Sequence, residues 1–277
     1  MKKLLPLLLL AAVLFTACHR APKTETLKIM SFNIRNSSAW AEDGDNDWAH
    51  RREAVAQMIL QVAPDALGMQ EMLPDQLAYL DSALAGQYDR IGVGRDDGDT
   101  LGENMCIYYR RDRLALIHWD NRWLSETPDS VSFGWDAACR RTLTTAYFSV
   151  GDEGKRFFYL NTHLDHVGQE ARKNSVLQLC QIIGHATDPV ILGGDMNSSL
   201  ADTIFAPLAD IDMLAARDVA DSSDDAMTFT GYGKCEATQI DHFFVRNLKV
   251  KTFETLNGDY GIPYLSDHYP ILITVEL

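Results

Sequence analysis

Pro189-Val190-Ile191-Leu192-Gly193-Gly194-Asp195-Met196-Asn197 is the stretch on which the reading of this chain turns. Its apolar run, bounded by a proline and a glycine pair, reads as a buried strand. The two glycines let backbone or ligand approach without a Cβ in the way. Asp195 and Asn197 then leave the strand tip together, one with a carboxylate and the other with an amide that both donates and accepts. Two readings are open here. The pair suits a phosphate beside a hard cation, or one of them caps a helix starting near Ser198 or Ser199.

The flanking segments repeat a pattern. Phe157 to His163 is a strand tipped with polar groups, and Ala171 to Ala186 is a helix with Val176, Leu179, Cys180 and Ile183 on one face. The first half has the same order. Leu27 to Arg35 alternates as a strand and ends polar, and Trp48 to Val62 carries a helical stripe through Val55, Met58, Ile59 and Val62, with Asp47 as its cap. Ala66 to Glu71 is a strand with an acid at its tip. Pro74 opens a helix with Leu77, Leu80 and Leu84 on one face.

Tyr88 to Val93 and Asn104 to Arg110 read as a hairpin around the glycine- and aspartate-rich Gly94 to Gly102. Leu114 to His118 and Ala146 to Val150 are further strands. The irregular segment between them, with Trp123, Pro128, Trp135, Arg140 and Arg141, is long enough to mark a functional loop. Ile204 to Ala216 is helical in part, and Gln239 to Val245, Val250 to Leu256 and Tyr269 to Val275 are strands. No low-complexity linker divides the halves. The expected domain, 27–277, is one α/β unit of two sheets flanked by helices.

Length and composition agree: 277 residues suit a single large domain, and 46% hydrophobic content supplies a substantial core. The front of the chain is different. Met1-Lys2-Lys3 is a basic segment, Leu4 to Phe15 is apolar, and Thr16-Ala17 are small residues before Cys18. Residues 1–17 read as a secretory signal, too short to span a membrane. A cysteine at that place resembles the bacterial lipobox, which implies lipidation of Cys18 and a polar tether over 18–26. The expected address is export, with anchoring to a bacterial membrane on its periplasmic or outer face.

Removing the signal takes two lysines and no acid from the full chain's 25 basic and 39 acidic side chains. The mature chain then carries 23 against 39, a net charge of −16. That charge opposes attraction to polyanions, and no basic stripe offsets it, so long nucleic acid is a disfavoured partner. Cys106, Cys139, Cys180 and Cys235 show no zinc spacing; disulfides and buried thiols both remain open.

Polar residues therefore sit repeatedly at strand tips: Asn33, Glu71, His163, Asp195, Asn197, Asp241 and Ser266-Asp267-His268. Each alone is weak. Together, Ser-Phe-Asn-Ile-Arg at 31–35, Gln70-Glu71, Thr162-His163-Leu164, Gly193 to Asn197, Ile240-Asp241 and Ser266-Asp267-His268 resemble, in order, the endonuclease/exonuclease/phosphatase superfamily. The resemblance runs from Leu27 to Leu277. It implies a four-layer αββα sandwich, two mixed or antiparallel sheets packed face to face, and Mg²⁺- or Mn²⁺-dependent hydrolysis of a phosphoester.

The resemblance also assigns roles. Glu71, with Asn33 and Asp267, would hold the metal through hard oxygens. His268 would take the proton of the attacking water while Asp241 holds its ring. Asp195 and Asn197 would position the nucleophile and the phosphoryl oxygens. His163 is similar to the second histidine of the deoxyribonuclease-like branch, a phosphate donor or leaving-group acid. Glu103, within Gly102 to Arg110, matches the acid that pairs with that histidine. Arg35 and Arg141 are candidate contacts to phosphate oxygens.

The abasic-site branch has an Asp two residues after the strand-tip Asn, where this chain has Arg35, so a DNA-repair role does not carry over. Thr162 to Gly168 followed by Ala171-Arg172 resembles an uncharacterised subgroup of bacterial metal-dependent hydrolases. There, Asp165 and His166 line the substrate pocket or begin the next helix. The expected substrates are small phosphodiesters, phosphomonoesters or phospholipid head groups. The expected protein is a monomer that touches the membrane only through its anchor. An exported nuclease for scavenging is one alternative, and a non-catalytic binding or scaffold lipoprotein is another. Specificity is expected in loops 94–102, 119–141 and 218–234.

Overall fold

Side-chain alternation along β1 (Thr26–Asn33) sets the order of layers. Leu27 and Ile29 enter the apolar cluster between two sheets, whereas Met30 and Phe32 enter a second cluster beneath helices. The computed structural model describes residues 24–151 and 154–277. The expected signal peptide and Cys18 lie outside the described residues.

After β1 come a one-turn α1 (Trp40–Asp43), α2 (Trp48–Val62), β2 (Ala66–Gln70), α3 (Pro74–Leu84), β3 (Tyr88–Ile91) and β4 (Ile107–Arg110). Next are β5 (Leu114–Trp123), β6 (Thr142–Val150), β7 (Lys155–His163), α4 (Gln169–Gly184) and β8 (Val190–Asp195). The last part holds α5 (Ala206–Ala209), β9 (Leu214–Ala215), α6 (Ala216–Val219), β10 (Ser222–Ser223), β11 (Asp241–Arg246), β12 (Lys249–Thr255) and β13 (Ile271–Glu276).

One sheet runs β10-β12-β13-β1-β2-β4-β3 and the other β5-β6-β7-β8-β11-β9. Inside each lies a parallel pair joined by a helical crossover. Asn33 stands opposite Gln70 in β1/β2, and His163 stands opposite Asp195 in β7/β8. Both sheets are mixed, and they pack face to face through Phe148, Phe157, Tyr159, Phe243 and Ile273. α2 and α3 cover one outer face with Val55, Ile59, Leu77 and Leu80, and α4 covers the other with Val176, Leu179 and Ile183. Each such buried side chain contributes roughly 1.5–3 kcal/mol of transfer free energy. The expected four-layer α/β sandwich is the fold.

The period of two carries function as well as packing. On the inner face β7 reads Phe157, Tyr159, Asn161, His163, changing from apolar to polar towards one end. Just below that end, Gln70 donates to Ser31 Oγ at 3.1 Å and to Asn161 Oδ1 at 2.7 Å, across the two sheets. Tyr159 donates to the Met30 carbonyl at 2.8 Å and accepts from the Gly68 amide at 3.0 Å. This buried layer, paired apart from Gln70 Oε1, fixes the register of one sheet on the other, since each further unpaired group would cost about 1–3 kcal/mol.

Some expectations hold and others change. The glycine pair of the opening stretch does serve close approach, of protein groups in both cases: a Cβ on Gly193 would strike the Phe243 ring, and one on Gly194 (φ +151°) the Thr162 carbonyl. No helix starts near Ser198; the next helical turn, Thr203–Phe205, is capped by Asp202. The segment 204–216 is helical in part, as expected: a 3₁₀ turn over Thr203–Phe205 runs into α5, and Ala216 opens α6. β5 extends to Trp123, past the expected end at His118. It is an edge strand with a register shift between Leu116 and His118, so its alternation is broken and its polar residues face solvent. Asp47 does cap α2, accepting from the His50 amide at 3.0 Å. Cys106, Cys139, Cys180 and Cys235 are free thiols.

Candidate active site

The inner strands of both sheets end at one mouth. β1 delivers Asn33, β7 His163 and β8 Asp195, while β11 begins there with Asp241 and Asp267-His268 precede β13. Three residues at these tips are left-handed although none is glycine: Arg35 (φ 59°), Glu71 (φ 64°) and Asn197 (φ 47°). Such backbone costs on the order of 1–3 kcal/mol per residue and persists where surrounding bonds hold it. Here it turns the chain sharply at the strand ends, beside the cleft.

Hydrogen bonds join the two sheets at the mouth. The Asn33 amide donates to Glu71 Oε1 at 3.0 Å and to Asp195 Oδ2 at 2.9 Å. Glu71 Oε2 accepts from both the backbone and side-chain N–H of Asn36, each at 3.0 Å. Asp195 Oδ1 accepts from the Asn197 backbone at 2.9 Å. The Asn197 amide donates to the Leu164 carbonyl and faces His163 Nε2, both at 2.9 Å. His268 Nδ1 lies 2.8 Å from Asp241 Oδ2, and its Nε2 lies 3.6 Å from Asp195 Oδ2. The Phe229 ring packs on His268 with centroids 4.8 Å apart.

Burial sets the charges. Asp195 is raised to about 7 by desolvation and then by the neighbouring Asp241 carboxylate. Burial alone would depress His268, but Asp241 and Asp195 outweigh it and raise the imidazole to about 10. Asp195 and His268 thus handle protons as a pair. His163 is lowered well below its ordinary value by burial, then by the positive charge of Arg141, and is neutral.

Glu71 and Asp267 line the same cleft. Asp267 is raised by burial, and the Glu71 charge adds to that. Two hard carboxylates that repel each other are a pair that Mg²⁺ or Mn²⁺ would suit. Asp195, Asp241 and His268 also lie within reach of one another, but the Asp241–His268 bond already uses atoms that a metal would need. Of the expected set, Glu71 and Asp267 line the cleft, whereas Asn33 directs its N–H groups to Glu71 and Asp195 and its Oδ1 accepts from the Arg35 amide at 3.0 Å.

The cleft encloses about 340 Å³ and also admits Arg35, Asn36, Arg95, Glu103, Cys139, Arg141, His166, Phe229 and Ile240. Arg35 is turned towards Asp43 at 3.3 Å and Asp267 at 3.8 Å. Arg141 is buried, with Nε 3.2 Å from Asp165 Oδ2 and a terminal nitrogen 3.0 Å from His166 Nδ1. Asp165 also accepts from the backbone of Ala138, Cys139, Val167 and Gly168. It therefore organises the wall on which His166 is displayed.

One assignment changes. Glu103 was expected to pair with His163, but it pairs with Arg95 at 2.5 Å, and Asn36 faces its other oxygen at 3.5 Å. His163 Nδ1 has no partner among the described residues. Arg95 and Asn36 are cleft residues that sequence reasoning missed. Asn36 directly follows a strand-tip segment, and Arg95 lies in a loop expected to carry specificity, yet neither has a local signal of its own.

Comparison with known proteins agrees with this geometry. The profile of the endonuclease/exonuclease/phosphatase family matches residues 30–268. An endonuclease/exonuclease/phosphatase structure from Bacteroides vulgatus is 35% identical, with a TM-score of 0.85 over 91% of this chain and 99% of that one. A mannosyl-6-phosphatase from Bacteroides thetaiotaomicron is 32% identical, with a TM-score of 0.82 over 90% and 99%. Nocturnin of Drosophila melanogaster is 27% identical in an alignment of 183 residues that covers 60% of this chain but only 27% of that longer protein. Strand-tip residues, sandwich and profile converge, and the chain belongs to the endonuclease/exonuclease/phosphatase family.

Proposed function

We propose that this protein hydrolyses small phosphoesters, phosphomonoesters first, with Mg²⁺ or Mn²⁺ bound by Glu71 and Asp267, and with Asn33 holding Glu71 in place rather than ligating the ion. The observation that carries the reading is the buried His268, bonded to Asp241 at 2.8 Å and 3.6 Å from Asp195, opening into the cleft that Glu71 and Asp267 line. When bound there, the ion would supply positive charge to the phosphoryl oxygens. The attacking water loses its proton to the Asp195–His268 pair, whose imidazole Asp241 holds in one orientation. Asn197 holds the neutral His163 in place at the cleft wall, and Arg141 adds positive charge to the same wall beside the phosphoryl oxygens. A neutral His163, bonded to Asn197, suits a positioning role better than that of a leaving-group acid.

Cleft size and net charge support small substrates. About 340 Å³ is at the lower end for ligand sites, and −14 for the full chain opposes long polyanions. The similar mannosyl-6-phosphatase supports a phosphomonoester. We also propose that the protein is an exported, lipid-anchored monomer. β1 spans 8 residues from Thr26 to Asn33, so the chain enters the domain roughly 23 Å from the mouth. A lipid on Cys18 would hold the cleft away from the bilayer, which favours soluble phosphoesters over head groups of the same membrane. A scavenging nuclease ranks below this on charge, and a scaffold ranks lower still because every catalytic side chain is present.

The test is phosphate release from sugar phosphates, inositol phosphates, a nitrophenyl phosphodiester and plasmid DNA, with Mg²⁺, Mn²⁺ and EDTA. Metal-dependent turnover of a small ester, lost in His268→Ala, is expected. Faster turnover of plasmid DNA would reverse the ranking, and silence with no metal bound would favour the scaffold.

A further inference from the structure

The loop over 94–102 is tightly folded and holds one side chain in the cleft. Asp97 accepts from the Asp99 and Leu101 amides at 2.8 and 2.9 Å, and the Arg95 amide bonds the Glu103 carbonyl at 3.0 Å. Trp123 pins the loop from below by donating to the Arg95 carbonyl at 2.8 Å. The Arg95 guanidinium lies inside the cleft, 13% exposed, against a Glu103 carboxylate that is 14% exposed. Asn36 connects this ion pair to Glu71, its side chain facing both acids.

The chemistry of this wall excludes several partners. Arg95 is matched by Glu103 and Arg141 by Asp165, so neither is a spare cation waiting for a second phosphate. A second anion would also meet the Glu103 carboxylate. An apolar group would strand the charged pair from water, which is costly. A nucleobase lacks a stacking platform, because the cleft's aromatic ring, Phe229, is already packed on His268. Hydroxyl groups suit it. Each hydroxyl both donates and accepts, the guanidinium keeps N–H groups beyond the one turned to Glu103, and the carboxylate keeps lone pairs.

We propose that Arg95 and Glu103 form the subsite that selects the alcohol part of the substrate, and that this alcohol carries adjacent hydroxyls, as in a sugar or another polyol. The proposal rests on the phosphoester-hydrolase reading and names its substrate class. It makes Arg95 a specificity residue and moves Glu103 from the histidine to the substrate.

The experiment compares kcat/KM for a hexose 6-phosphate and for propyl phosphate in the full-length protein, Arg95→Lys and Glu103→Gln, with Mg²⁺ present. Wild type is expected to prefer the hexose phosphate at least tenfold, since a site built to bond hydroxyls rejects analogues lacking them. Both variants lose that preference at least tenfold, chiefly through KM. Free hexose, expected to compete in the wild type, competes at least tenfold more weakly in both variants; unchanged competition overturns the proposal even where a variant turns over slowly. Equal losses on the two esters, or a wild type indifferent between them, overturn the subsite while leaving the phosphatase standing. Silence of the wild type on both esters and on a nitrophenyl phosphodiester overturns the hydrolase reading and the subsite together.

Discussion

The Asn33 side chain donates to Asp195 across the seam between the two sheets, at 2.9 Å and 162 residues apart in sequence. The same amide bonds Glu71, so one neutral group separates two carboxylates. Asn33→Asp would put a third acid between them. Without divalent ion it is expected to lower stability by about 1–3 kcal/mol, read from the urea midpoint, with partial recovery in Mg²⁺. An unchanged midpoint would mean that the amide does not hold the seam.

Asp241 and His268 act as one unit. Asp241→Asn and His268→Ala should each lower kcat by about a thousandfold or more, and the double variant should be little worse than His268→Ala alone. Fully additive losses in a phosphate-release assay would separate their roles.

Metal binding at Glu71 and Asp267 has a readout apart from turnover. In the wild type, Mg²⁺ at about 100 times its Kd should add about 2.7 kcal/mol to stability. Asp267→Asn removes a carboxylate that Glu71 already repels, so the metal-free protein should be no less stable. Its thermal shift with Mg²⁺ should vanish. A shift equal to that of the wild type would put the ion elsewhere.

Asp165 makes a pH prediction. Burial alone would raise its carboxyl, but the amides of Gly168, Ala138 and Val167 and the Arg141 guanidinium hold it well below the usual carboxylate range. In the unfolded chain it titrates near pH ~3.9. Its contribution is therefore complete above that pH and lost as pH falls towards the lower folded value. Asp165→Asn should cost about 3–5 kcal/mol at pH 7 by leaving Arg141 buried without its partner, and should flatten the acid limb of stability. An acid limb as steep as that of the wild type would count against it.

The central elements were legible because their signals are local. α2 spans the predicted residues, Trp48–Val62, because an apolar stripe, a capping aspartate and a following Pro64 all agree. The cores of β7, β8 and β11 were equally plain, since their inner residues face apolar layers on both sides. β5 was cut short because an edge strand with solvent on its polar side has no alternation to read. β9 and β10, at 2 residues each, exist only through pairing with β11 and β12.

By itself the sequence determined which residues stand at the strand tips, because a period of two and a polar ending are properties of a short segment. It also determined that acids and histidines recur there in the order of one family. Only the tertiary structure decided who meets whom. Glu103 faces Arg95 rather than His163, and Arg141 is planted by Asp165 beside His166. The reason is physical: a strand reports its own face and direction, but the partner of a buried charge is chosen by whichever loops fold over the mouth.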